Sequence, residues 1–237
     1  MSQNRSTAVM ENRNPLLDEV DDFPTPPWAT RLFLAEILAP RVGDLSKKTA
    51  AEPACNRGYM ARPLAEAFGN VITSDLVDYG WAGQQHVSDF IETPLPPCDG
   101  VDWIITNPPF AKGEAFVLKA LSHAREGVAI IARTAFLEGR DRYVNLFRKF
   151  PPALIAPSSQ RIPMQQGGYN PQGSTATSYT WFVWLKDHTG PSELLWTPEY
   201  RDRYQRPGDV NFEMRDASDW VSQTIANTPL FAHEGGR

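Results

Sequence analysis

Short apolar runs that alternate with helix-patterned segments predict an α/β fold for this chain of 237 residues. The run VDWIIT (101–106) has the character of a buried strand. In the segment that follows, Val117, Leu118, Leu121 and Ala124 recur at helical spacing, and GVAIIA (127–132) is a further strand. Parallel neighbours need a long connection, which a helix supplies with a right-handed crossover, so this cadence predicts a mostly parallel sheet.

The remaining elements follow in order. Residues 1–22 carry two Arg against five Asp/Glu and no periodicity, and are expected to form a flexible acidic arm without chemistry. WATRLFLAEILA (28–39) is apolar except for Thr30, Arg31 and Glu36, which predicts a largely buried helix after the rigid Pro24-Thr25-Pro26-Pro27. TAAEPA (49–54) reads as a strand entering a turn, Met60–Phe68 as a helix and VITSD (71–75) as a strand ending in an acid. A short helix is expected around Tyr143–Lys149. ALIA (153–156) and SYTWFVWL (178–185) read as late strands joined by a long Gly/Gln/Ser/Pro-rich loop. That loop exceeds what packing requires, which points to function or mobility. Beyond Lys186 the chain is polar and broken by Pro, and no internal repeat or second core is visible. The expected organisation is an arm (1–22), one domain (23–186) and a C-terminal extension (187–237).

Composition narrows the function classes. With 41% hydrophobic and 22% charged residues and a mean hydropathy of −0.40, the chain can bury a sizeable core. Lys+Arg 23 against Asp+Glu 28 gives a net charge of −5 and a pI near 5.4, which argues against the uniformly basic character of non-specific DNA binders, so any nucleic-acid contact must be local. No run approaches the roughly 18 apolar residues of a membrane span, and MSQNRSTAVMENRN lacks the apolar stretch of a signal peptide, so a cytoplasmic location is expected. Cys55 and Cys98 make no disulfide framework, and no metal-ligand spacing links them to His86, His123, His188 and His233; no metal is expected.

Two constellations carry chemistry. Glu52-Pro53-Ala54-Cys55-Asn56-Arg57-Gly58 sits at a strand-to-helix turn, where helix amides and small residues let a ligand approach the backbone. Asp75 ends the next strand 23 residues after Glu52, near the interval of about 20 residues at which an acid meets ribose hydroxyls. Each feature alone is more often structural; together they suggest an adenosine-containing cofactor at the strand ends. Asn107-Pro108-Pro109-Phe110 follows directly on VDWIIT, at the sheet end where ligands bind in open α/β folds. A proline turn that merely ends a strand is the alternative. The two prolines fix the backbone, so the Asn107 side-chain oxygen and a main-chain carbonyl can converge on one planar NH₂ group while Phe110 offers a stacking face. Two such acceptors favour a pyramidal nitrogen and stabilise the positive charge that develops as a methyl group arrives from a sulfonium.

On these residues the chain resembles the class I S-adenosylmethionine-dependent methyltransferases, and within them the adenine-N6 DNA methyltransferases with an (N/D/S)PP(Y/F) motif, over residues 23–186. The resemblance implies a Rossmann-like domain, a mostly parallel sheet with helices on both faces and a late antiparallel strand, and S-adenosyl-L-methionine as cofactor. It places Thr25-Pro26 at the methionine end of that cofactor and Glu52, Pro53, Ala54, Asn56 and Gly58 on its loop. Asp75 and Leu76 fall at its ribose and adenine, Asp89-Phe90 on the adenine clamp, and Asn107, Pro108, Pro109 and Phe110 on the catalytic tetrapeptide, with Asn107 also reaching the cofactor. The motif order is similar to the gamma arrangement. Small phage and prophage methyltransferases of this type also carry a segment similar to PSSQRIPMQQGGY…STATSYTWFVWLK. The family has Gly where this chain has Asn56. Asn tolerates a positive φ best among other residues, and weakened cofactor binding is expected.

The implied substrate is adenine in DNA, single-stranded or flipped out of a duplex, at a cost of about a few kcal/mol for the flip. Six basic residues against two acids between Arg133 and Arg161 give a local net of +4, and Arg140, Arg142 and Arg161 are the candidate strand contacts. Only 51 residues follow Lys186, so short or relaxed sequence preference is expected. Two alternatives remain open: the same acceptors suit an RNA base or a protein glutamine amide, and the Asn56 departure fits a catalytically weak binding module.

Overall fold

The computed structural model describes residues 21–94 and 96–214, with only the backbone of 211–214. The arm before Asp21 and the extension beyond Met214 lie outside the described residues. Eight strands form one sheet in the order β3-β2-β1-β4-β5-β7-β6-β8. They are β1 (Thr49–Glu52), β2 (Asn70–Asp75), β3 (His86–Val87), β4 (Trp103–Thr106), β5 (Gly127–Arg133), β6 (Leu154–Pro157), β7 (Tyr179–Leu185) and β8 (Glu193–Leu194). All neighbouring pairs are parallel except those of β7, which runs antiparallel to both β5 and β6. The strand order reverses between β1 and β4, and that switch point opens a crevice at the carboxyl ends of the strands.

Side-chain alternation divides the core into two layers. Trp103 and Ile105, Ala129 and Ile131, and Trp181 and Val183 face one layer. Ile104, Val128 and Ile130, and Phe182 and Trp184 face the other. Because both faces are covered, these strands read in sequence as continuous apolar runs.

The first layer is closed by a continuous helical stretch: α1 (Pro27–Leu32), a π-helical segment (Phe33–Leu38) and α2 (Ala39–Val42). Its wide middle turns precede Pro40, which has no N–H to continue the regular ladder. Phe33 stacks on Trp181 with ring centroids 4.0 Å apart. The expected helix at 60–68 is the shorter α3 (Ala61–Ala65). The second layer is closed by α4 (Gly113–His123) and by α5 (Arg140–Arg142), which continues as a π segment over Tyr143–Phe147.

Three elements were not visible in the sequence: β3, β8 and α6 (Arg201–Tyr204). The stretch from 187 to Asp209 is tied to the domain by β8, by Tyr204 and by Asp209. The guanidinium of Arg31 on α1 is 2% exposed; it forks onto Asp209 (1% exposed) and onto Glu66, and also donates to the Tyr204 carbonyl.

Candidate active site

A cavity of about 540 Å³ lies at the carboxyl ends of β1, β2, β4 and β5, within the range of about 300–1,000 Å³ usual for small-molecule sites. Its lining includes twelve of the residues singled out from the sequence: Thr25, Glu52, Pro53, Ala54, Asn56, Asp75, Leu76, Asp89, Phe90, Asn107, Pro109 and Phe110.

The turn after β1 is built around two positive-φ residues, Asn56 (φ 48°) and Gly58 (φ 81°). Asn56 is the one non-glycine residue with positive φ among the described residues. Its amide donates to Asp75 Oδ2 at 2.9 Å, which ties the loop to the end of β2. A methyl group on Gly58 would stand 2.4 Å from the Trp81 ring, so only glycine lets that ring close under the loop. Pro26, Gly58 and Pro108 do not line the cavity: Pro26 caps α1, and Gly58 faces Trp81. Cys55 is buried and its thiol is pushed far up by desolvation, which suits packing and not nucleophilic attack. Asp89 Oδ1 accepts from the amides of Ile91 and Glu92 at 2.9 and 3.1 Å, while Phe90 is buried against Phe116.

Glu52 is fully buried. Its carboxyl accepts from the Ala61 amide, Oε2 has no partner, and desolvation together with nearby Asp75 holds its pKa well above the usual range. Asp75 is also raised, mainly by burial, against the opposing backbone amides. Thr25 Oγ1 and Asn107 Oδ1 are likewise buried without a partner. Three residues of the lining thus each carry a buried oxygen without a partner, an acceptor for a ligand with N–H or O–H groups. Asp21, Glu52, Asp75 and Asp89 stand against Lys112 and Arg133 in the lining, and a cationic ligand would offset the desolvation that disfavours the charged forms of Glu52 and Asp75.

At the tetrapeptide, Asn107 Nδ2 donates to the Phe23 carbonyl at 2.9 Å and lies 3.6 Å from Met164 Sδ, leaving Oδ1 as a free acceptor. The stacking face expected on Phe110 is partly taken. The Arg133 guanidinium lies over the ring at 4.1 Å from its centroid, and Phe23 packs at 5.4 Å. A base stacked on that face of Phe110 would therefore have to displace Arg133.

The three expected strand contacts stand apart from the cavity wall. Arg142 donates to the carbonyls of Phe136 and Glu138 and covers the Phe136 ring at 4.2 Å; it fastens the turn after β5, which is a structural role. Arg161 is exposed and bonds Ser178 Oγ, and Arg140 is exposed. Sequence reasoning missed Asp21, Phe23, Tyr79, Arg133 and Gln166 in the lining, and Asp22 behind it. The sequence places Asp21 and Asp22 in an arm without chemistry; Asp22 is 2% exposed and bonded into the turn after β1. Arg133 carries a usable signal, since it is the last residue of β5 at the sheet end where ligands bind.

No protein-family model and no curated protein sequence matches the chain. Solved structures do. A Listeria monocytogenes protein assigned to the class I S-adenosylmethionine-dependent methyltransferases aligns at a TM-score of 0.56 and 13% identity, over 82% of this chain and 72% of that one. The type I restriction-modification system methyltransferase subunit of Streptococcus thermophilus aligns at 0.58 and 12% identity, over 86% and 53%. The M protein of the type I restriction enzyme EcoKI aligns at 0.53 and 11% identity, over 82% and 53%. The chain spans about half the length of the two restriction-enzyme subunits. These likenesses define the class of the fold: a Rossmann-like α/β domain of the class I methyltransferase type. Among the described residues no helix is long and apolar enough to cross a membrane, and no group of three or more His, Cys, Asp or Glu could hold a metal ion.

Proposed function

We propose that the protein transfers a methyl group from S-adenosyl-L-methionine to the exocyclic N6 amine of adenine in DNA, with short or relaxed sequence preference. The observation that carries the reading is the pairing of the unpartnered Asn107 Oδ1, in an Asn-Pro-Pro-Phe turn, with the unpartnered Glu52 Oε2 in one cavity. The cofactor would supply an electrophilic methyl group on a sulfonium. Glu52 and Thr25 offer acceptors for its ammonium end, and Asp75 lies at the end of β2 where ribose hydroxyls are met in this fold. Asn107 Oδ1 accepts from the target amine, draws its lone pair out of the ring and stabilises positive charge on the nitrogen as the N–C bond forms and the S–C bond breaks. The nitrogen then gives up a proton to solvent, so no strong general base is demanded. Arg133, exposed beside Phe110, adds a cation at the mouth where a strand would pass.

Labelled methyl transfer to DNA, RNA and protein in parallel tests the reading. Counts in DNA as N6-methyladenine support it, and counts confined to RNA or protein overturn it. Modification confined to one site of six or more base pairs would remove the relaxed preference.

A further inference from the structure

Three consecutive residues tie three loops of the site together. Asp22 Oδ1 accepts from Asn56 Nδ2 at 2.6 Å, both Asp22 carboxylate oxygens take Arg57 Nη1 at 3.1 and 3.3 Å, and the Asp22 carbonyl accepts from the Gly167 amide at 2.9 Å. One residue earlier, Asp21 Oδ2 accepts from the Phe110 amide at 2.5 Å. One residue later, the Phe23 carbonyl accepts from Asn107 Nδ2. The segment thus joins the cofactor loop, the long loop between β6 and β7, and the Asn-Pro-Pro-Phe turn.

We propose that Asp22 and Asn56 form a clasp that positions Asn107 for methyl transfer, so that Asn56 is a working part of this site. The inference rests on the proposed methyl transfer. A carboxylate that is 2% exposed is costly unless it is paired, and Asp22 is paired through both oxygens. Conformation alone would favour Gly at φ 48°, yet both polar atoms of the Asn56 side chain are used: Nδ2 on Asp22, and Oδ1 as acceptor for the Arg57 amide at 2.6 Å. Arg57 lies over the Tyr79 ring at 5.2 Å, which carries the tie across to the far wall of the cavity.

The consequence at the tetrapeptide is an orientation. The Asn107 amide can sit in two ways related by a half-turn. With the Phe23 carbonyl beside it, only the arrangement that directs Nδ2 at Phe23 avoids oxygen against oxygen, and that arrangement leaves Oδ1 as the acceptor. Asp22 holds Phe23 in place, so a change at Asp22 or Asn56 is felt at Asn107 although neither touches the target base. Small displacements of a reacting group are expensive, on the order of 100-fold in rate for about 1 Å.

The test compares Asn56→Gly, Asp22→Ala, Asp22→Asn and the Asn56→Gly/Asp22→Ala pair. S-adenosylhomocysteine binding is read by calorimetry, and methyl transfer to DNA is read in single turnovers at saturating cofactor. Asn56→Gly suits the backbone and keeps the wild-type fold, so it carries the test if Asp22→Ala unfolds. The clasp predicts that Asn56→Gly lowers the single-turnover rate by about 10- to 100-fold with little change in KM for DNA. It predicts that the double variant is no slower than the slower single variant, because both break one contact. Asp22→Asn keeps an acceptor for Asn56 and recovers part of the rate. An Asn56→Gly protein that binds and turns over as well as wild type, or better, overturns the clasp and makes Asn56 a degraded glycine; strictly additive losses overturn it too. A wild-type protein that binds no S-adenosylhomocysteine overturns the proposed function, and the clasp with it.

Discussion

Replacing Glu52 by Gln should stabilise the free protein and weaken its hold on the cofactor. Glu52 is 2% exposed at the end of β1, and its Oε2 has no partner. Desolvation, with the charge of Asp75, raises its pKa well above that of an ordinary Glu. A carboxyl whose folded-state pKa is raised contributes its full stability below its unfolded pKa and loses it as pH rises through the folded value. Gln keeps the shape and an acceptor for the Ala61 amide and removes the charge. The neutral amide spares the free protein the cost of ionising a carboxyl in this site, about 1.4 kcal/mol for each pH unit between the unfolded and the folded titration. In a domain of this size each kcal/mol moves Tm by about 2–4 °C, so the variant should melt several degrees higher at neutral pH. The advantage should fade toward pH 4, about where an unfolded Glu titrates. Losing a charge-assisted hydrogen bond of about 1.5–3 kcal/mol should weaken S-adenosylhomocysteine binding by about 10- to 150-fold. Scanning calorimetry across pH, with and without that ligand, reads both effects. An unchanged or lower Tm with full ligand affinity would refute the reasoning.

Asp75→Ala should weaken S-adenosylhomocysteine binding about tenfold or more while sparing the rate at saturating cofactor, because its carboxylate secures the Asn56 amide in the turn after β1 and the Val77 amide in the turn after β2; calorimetry beside single-turnover kinetics checks the split. Phe110→Ala should do the reverse, and equal loss of cofactor binding would make the motif scaffolding. Gly58→Ala combines φ 81° with a Cβ 2.4 Å from Trp81, and should cost about 2–4 kcal/mol in urea unfolding. Asp209→Ala removes two buried charge-assisted hydrogen bonds from Arg31, which keeps Glu66 and the Tyr204 carbonyl, and should cost about 1.5–3 kcal/mol by the same measurement; an unchanged midpoint would detach residues 207–214 from the domain.

The strands that build the sheet's centre were readable because both of their faces are buried: Trp103–Thr106, Gly127–Arg133 and Tyr179–Leu185 are continuous apolar runs. The edge strands His86–Val87 and Glu193–Leu194 are two exposed residues each and leave no pattern. At the site, Asp75 and Asn107 announce themselves by standing at strand ends. Asp21, Asp22 and Phe23 do not, since an acidic pair before prolines reads as solvated chain. Their role exists only through partners 34 to 145 residues away. The Arg31–Asp209 tie spans 178 residues, so a polar stretch that looked like an appendage belongs to the folded domain. The fit of Asn at φ 48° was anticipated from its tolerance of that region, whereas the use of its side chain was visible only once Asp22 stood beside it.

Nucleoside analysis of DNA incubated with methyl-labelled S-adenosylmethionine and either wild-type protein or Asn107→Ala tests the central claim most directly. The account predicts labelled N6-methyladenine with the wild type and a loss of about 100-fold or more in the variant, whose cofactor affinity stays close to normal. Label absent from adenine with the wild type, or undiminished in Asn107→Ala, would contradict it.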